Sequence, residues 1–205
     1  MIDLRKYGSL IIFMLLISVM AAGCASDTDG SGVQDVKVNE NTPNVENSNP
    51  KEQATPPAKG SFNNPASMEE TVVLTSTGNT YEVSVTDVKK GDQANYVVKS
   101  ANEFNSDPAS GYEYLLVKTK VVYTKGDGPQ GIGSFGFKAF CDGVECTETW
   151  EVLPNDYIQF NSGDVMPGAT KEGWIQYTVP AGKEVILCFQ PNMFDKNTAY
   201  ISLGE

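Results

Sequence analysis

Histidine is absent from the 205 residues, and that one absence excludes several chemistries. No Ser-His-Asp triad, no Cys-His pair, no histidine-ligated zinc site and no imidazole proton relay can be built. Cations are scarce as well: 15 Lys and Arg stand against 26 Asp and Glu, a formal charge of −11. Nucleic-acid binding rests on neutralising phosphates with Lys and Arg, so this balance argues against it. Cysteine occurs four times, never in a C-x-x-C pair, the spacing on which zinc clusters are commonly built. Long apolar runs are missing too. The longest, residues 10–22, has thirteen residues with Ser18 inside it, short of the roughly twenty that a membrane-spanning helix needs.

What is present begins with an address. Arg5 and Lys6 precede the apolar run, the order of a secretory leader. Ala21-Ala22-Gly23-Cys24 follows it directly and resembles the lipobox of prokaryotic lipoproteins, whose cysteine sulfur is acylated while the leader is cut away before it. The commonest lipobox has leucine where Ala21 stands. The resemblance implies a leader over 1–23, lipid attachment at Cys24, and the extracytoplasmic face of the cell membrane as location. Several acyl chains on one residue hold a protein lastingly, where a single chain is marginal. Losing Asp3, Arg5 and Lys6 with the leader leaves 13 positive and 25 negative side chains, a net of −12. That charge draws nothing toward an anionic surface, so the lipid does the holding.

From Ala25 to about Met68 the composition shifts to small and polar residues, rich in Asn, Ser and Pro, and the first aromatic residue of the tract is Phe62. Segments this poor in large apolar groups cannot offset their ordering entropy. Residues 24–68 are therefore expected to form the lipidated cysteine and a disordered tether, whose roughly 44 residues would average about 35–40 Å. The alternative is that Val33, Val36 and Val38 add an edge strand to the domain.

Past Glu69 the apolar period is close to two, the signature of strands. Thr71–Leu74 is a short strand; Tyr81, Val83 and Val85 alternate with polar residues; Tyr96-Val97-Val98 is a third candidate. In Tyr112–Tyr123, Leu115, Val117, Thr119, Val121 and Tyr123 share one face, while Lys118 and Lys120 share the other. Phe135 to Cys141 alternates up to Asp142-Gly143, a strong hairpin turn signal. Trp150–Val152, Ile158–Phe160, Gly173–Val179, Val185–Phe189 and Ala199–Leu203 complete the series. No stretch past residue 69 shows a clear 3.6-residue period. The expectation is an all-β domain over 69–205, a sandwich or barrel.

Three phrases, Ala101-Asn-Glu-Phe-Asn-Ser-Asp-Pro108, Gly111-Tyr-Glu-Tyr-Leu-Leu-Val-Lys118 and Gly168 followed by Gly173-Trp-Ile-Gln-Tyr-Thr-Val-Pro180, resemble an uncharacterised immunoglobulin-like domain family. That family occurs in Gram-positive and archaeal lipoproteins and is related in fold to a secreted mycobacterial immunoprotective antigen. The resemblance implies an immunoglobulin-like antiparallel β-sandwich, and it carries over no catalytic residue.

The remaining candidates for function are few. Tyr112, Tyr114 and Leu116 lie opposite the core face of the long strand and form a candidate contact surface. Cys141 and Cys146 are the obvious disulfide pair outside the cytoplasm, with a bridge to Cys188 or free buried thiols as alternatives. If Asp142-Gly143 is a tight two-residue turn, the pair is diagonal and roughly 7–8 Å apart, too far for a bond, whereas a four-residue loop from Asp142 to Glu145 places the two directly opposite and allows it. Acidic loops at Asp92, Asp127, Asp142, Glu145 and Asp164 raise calcium, but lack the dense spacing of an EF-hand. No metal ligands, cofactor or catalytic residues are assigned. The expected function is a non-catalytic binding module at the cell surface, with the membrane, through Cys24, and an unidentified extracytoplasmic protein or envelope component as partners. A solute- or calcium-binding accessory lipoprotein and a passive envelope spacer are the alternatives.

Overall fold

The computed structural model describes residues 33–37 and 57–204. The leader 1–23, Cys24 and much of the expected tether lie outside the described residues. Everything described belongs to one compact unit, Ser31–Glu205.

The described strands are β1 (Val33–Lys37), β2 (Thr71–Ser76), β3 (Asn79–Lys90), β4 (Tyr112–Lys125), β5 (Gln130–Ile132), β6 (Phe137–Cys141), β7 (Val144–Glu145), β8 (Thr147–Glu148), β9 (Gly163–Val165), β10 (Thr170–Pro180), β11 (Ile186–Phe189) and β12 (Ala199–Ser202). One helix, α1 (Asp92–Ala101), joins β3 to the β4 approach. Six strands form one sheet in the order β1-β2-β3-β4-β10-β8; four form the other, β12-β11-β6-β7; β5 and β9 pair as a small ribbon. All the strand pairings are antiparallel. This is an all-β sandwich of the immunoglobulin-like kind.

The period-two pattern explains the core. Leu115, Val117, Val121 and Tyr123 of β4 face inward with Val72 and Leu74 of β2, Tyr81, Val83 and Val85 of β3, and Ile175, Tyr177 and Val179 of β10. Phe137, Ala139, Leu187, Phe189 and Ile201 meet them from the smaller sheet. Alternate residues on a strand point to opposite faces, so one apolar set per strand suffices to build this layer. Pro180 closes β10 at its pairing with Tyr112, a place where its missing N–H costs no ladder bond. Gly111, at the entry to β4, has φ +83°, a backbone state that favours glycine.

Several expectations are corrected. Val33–Lys37 is strand β1, paired antiparallel with β2, so the edge-strand alternative describes this stretch and the tether does not. Ala66 is fully buried, and its backbone bridges Ile201 of β12, so the packed domain also begins before Glu69. Tyr96-Val97-Val98 is not a strand but part of α1. Ala94 and Val98, four residues apart, bury one helical face, while Asp92 in the first turn and Lys99 in the last complement the helix dipole. Local β-propensity of the valines yields to that packing. Trp150–Val152 and Ile158–Phe160 are likewise irregular loop apart from a single bridge of Gln159 to Trp174.

Candidate functional site

The helix decides the fate of the expected contact surface. Tyr114 and Leu116 are buried, together with Trp174, under Ala94 and Val98 of α1. They are a second, smaller core on the outer face of the large sheet, not a docking surface. The alternation of β4 was legible; the element covering its second face was not. Tyr112, one turn of the pleat earlier, stays half-exposed at 50 %. Burial pushes the Tyr114 phenol up to about 12, with the nearby Glu151 carboxylate adding to it.

A shaped open surface lies on the outer face of the four-stranded sheet. A cleft of about 170 Å³ is lined by Phe62, Phe140, Ile186 and Tyr200, with Asp142, Gly143 and Glu184 at its rim. Phe140 stands opposite Ile186 in the β6–β11 ladder, and both lie outward because their neighbours Ala139 and Leu187 fill the core. Phe62 reaches the cleft from the segment before β2. There Tyr200 donates its backbone N–H to the Gly60 carbonyl at 2.9 Å, and the Phe62 and Tyr200 rings meet edge-on at 5.6 Å. The rim is acidic but engaged: Asp142 pairs with Lys183 at 2.9 Å, and Glu184 accepts from the Ser202 hydroxyl at 2.8 Å.

Asp142-Gly143 forms the tight hairpin turn, with φ +50° and +77° and Cys141 facing Val144. On its far side a hollow of about 120 Å³ is bordered by Tyr112, Cys141, Val144, Glu145, Cys146, Thr147, Thr178 and Pro180. Cys141, Cys146 and Cys188 stand as thiols. The Cys141 and Cys146 sulfurs are 3.1 Å apart, much closer than the spacing of a flat diagonal pair, and the Cys146 N–H donates to the Ala139 carbonyl at 2.8 Å. Burial, then the neighbouring Cys141, pushes the Cys146 thiol up to about 12; burial pushes Cys188 up to about 11. Thiols held protonated are poor nucleophiles and poor metal ligands. Among the described residues no three His, Cys, Asp or Glu side chains converge on one point, so Asp92, Asp127, Asp142, Glu145 and Asp164 do not pool into a cation site there. No described helix is long and apolar enough to cross a membrane.

Sequence reasoning missed this cleft because its walls come from four separate segments. Phe140 and Tyr200 were legible as outward positions of alternating strands, but Phe62 lay in the expected tether.

A family model described as a domain of unknown function, DUF4352, matches residues 75–199. Among solved structures, ycdA, a candidate lipoprotein of Bacillus subtilis, is 14 % identical with a TM-score of 0.50 over 64 % of this chain. The chain spans 38 % of that protein's length, and at this identity the likeness speaks to fold alone. MPT63, a secreted protein of Mycobacterium tuberculosis, is 16 % identical with a TM-score of 0.45, covering 72 % of this chain and 98 % of the other. No curated protein matches.

Proposed function

Because the chain belongs to the DUF4352 family, whose description leaves its role open, we propose that it is a lipid-anchored extracytoplasmic binding module that grips one side chain of a partner protein. The observation that carries this reading is the cleft between Phe62, Phe140, Ile186 and Tyr200. Its volume of about 170 Å³ is below the roughly 300–1,000 Å³ of pockets that enclose drug-sized ligands. It suits a single apolar or aromatic anchor, the usual centre of a protein interface. The Glu184 carboxylate on its rim, which accepts from the neutral Ser202 hydroxyl, favours a partner with a basic residue beside that anchor. The lipobox-like Ala21-Ala22-Gly23-Cys24 supports attachment at Cys24 and, with it, a place outside the cytoplasm. A non-catalytic role is supported by the missing histidine and by the raised thiols of Cys146 and Cys188.

Pull-down of the tagged full chain from native membranes tests the reading, with Phe62→Ala as the comparison. Phe62 is exposed, so its loss leaves the fold intact. A stoichiometric partner captured by the parent and lost at least about tenfold with F62A, the effect of removing one interface hot spot, supports the cleft. A partner held equally by both, or none at concentrations that retain a micromolar complex, refutes it.

A further inference from the structure

Strand direction fixes where the anchored chain enters the domain. β1 runs antiparallel to β2, with Val33 opposite Leu74 and Lys37 opposite Thr71. β2 ends at Ser76, which pairs with Asn79 across the Thr77-Gly78 turn. Val33 therefore enters at the end of the sandwich that carries the β2–β3 turn. Eight residues separate it from Cys24. At about 3.3–3.6 Å per residue they span no more than about 30 Å in any conformation.

The same end carries four exposed apolar side chains: Phe194 at 91 %, Met193 at 74 %, Met166 at 59 % and Phe135 at 58 %. Their placement follows from hydrogen bonds to the strand ends. The carboxylate of Asp195, next to Phe194, accepts from the Ser76 hydroxyl at 2.7 Å and from the Thr77 N–H at 3.1 Å. Gly136, next to Phe135, receives the Gln190 N–H on its carbonyl at 2.8 Å. Met166 lies in the turn that leads into β10, where Gly168 donates to the Tyr123 carbonyl at 2.6 Å, close to the end of β4.

The loop that projects Phe194 is braced. Asn192 accepts the Phe194 N–H at 3.0 Å, and the Gln190 amide donates to the Asp195 carbonyl at 2.6 Å. Burial raises the Asp195 carboxyl, yet the Ser76, Asn197 and Thr77 donors outweigh it and hold the group below the usual range. Asp195 thus stays ionised and turned into the domain, while Met193 and Phe194 are held out into water. Apolar side chains held out at one end of a sandwich are the kind of surface that marks a contact.

We propose that this end of the sandwich seats on the bilayer, with Phe194 and Met193 leading and Phe135 and Met166 beside them. The inference rests on lipid attachment at Cys24, which brings the surface within reach. The occupant is a membrane because Cys24 lies no more than about 30 Å of chain from Val33, which enters the sandwich at this same end. The mature net charge of −12 gives no overall pull toward anionic headgroups, and the four side chains are apolar, so the contact is expected to persist in high salt. The β6–β7 hairpin and the cleft beside it lie toward the other end of the sandwich. The fourteen residues of β4, at about 3.3 Å each, would hold that end roughly 45 Å out from the lipid.

Full-length protein reconstituted into phosphatidylcholine vesicles tests this, with Phe194→Trp against Val144→Trp on the distal hairpin and the unsubstituted chain as background. Brominated acyl chains quench only indole that enters the bilayer. Quenching of F194W at least about threefold that of V144W, unchanged in 0.5 M salt, is expected for interfacial insertion. Equal quenching of the two, with mass spectrometry showing the diacylglyceryl group on Cys24, overturns the seating and leaves the anchor standing. An unmodified Cys24 in a chain that fails to float with the vesicles overturns the anchor, and the seating with it.

Discussion

The Tyr114 hydroxyl donates to the Ser106 carbonyl at 2.7 Å, tying the outer face of β4 to the loop that follows α1. Asn105, beside it, donates to the carbonyls of Val98 and Val152 and accepts the Val152 N–H. The helix, its loop and the long 149–162 loop are therefore one clamped layer over Tyr114, Leu116 and Trp174.

If that layer is a core, Tyr114→Ala will lower unfolding free energy by about 3–5 kcal/mol, the cost of emptying a buried aromatic site. Tyr114→Phe removes only the hydrogen bond and will cost about 1 kcal/mol. Urea denaturation separates them; a harmless Y114A would return Tyr114 to the surface.

Gly173 sits where β10 crosses the 158–160 segment, and a Cβ there would come within 2.7 Å of the Phe160 backbone nitrogen and Cα. Backbone cannot step aside as a flexible side chain can. Gly173→Ala is expected to destabilise by about 1–3 kcal/mol, as overpacking does, and to raise hydrogen exchange at Phe160 and Trp174, whose N–H groups bond across this crossing.

Alkaline pH should weaken the fold. Burial pushes Tyr81 and Tyr114 up to about 12, while Cys146 rises to about 12 and Cys188 to about 11. As pH climbs past roughly 9–10 the unfolded chain sheds these protons first, so unfolding becomes favoured. Stability is then full below about pH 8.5 and declines toward pH 12, at up to about 1.4 kcal/mol per pH unit for each group in its window. A urea midpoint flat from pH 8 to pH 11 would contradict this.

Deleting Val33–Lys37 uncovers the edge of β2. An unpaired edge strand invites pairing with another chain, so the deletion should produce concentration-dependent self-association in light scattering and faster amide exchange along Thr71–Ser76. Monomeric behaviour with unchanged exchange would mean that β1 contributes nothing to the sheet.

Which faces of the strands are apolar, where the Asp142-Gly143 turn falls and where Pro180 ends its strand are all legible in the order of residues. These are local matters: period, turn chemistry and a missing N–H act within a few residues. The acidic balance and the exclusion of histidine chemistry are legible in the same way. What covers each face depends on how the sheets, helix and loops pack. Tyr114 and Leu116 read as outward, and a helix ten residues long, disguised by valines, made them core. Val33–Lys37 read as too polar to order by itself, and the open edge of β2 supplies the backbone hydrogen bonds that order it. The cleft at Phe62 and the apolar tips at Phe135 and Phe194 arise from segments far apart in the chain, and burial and proximity between such segments are set by the packing of two sheets.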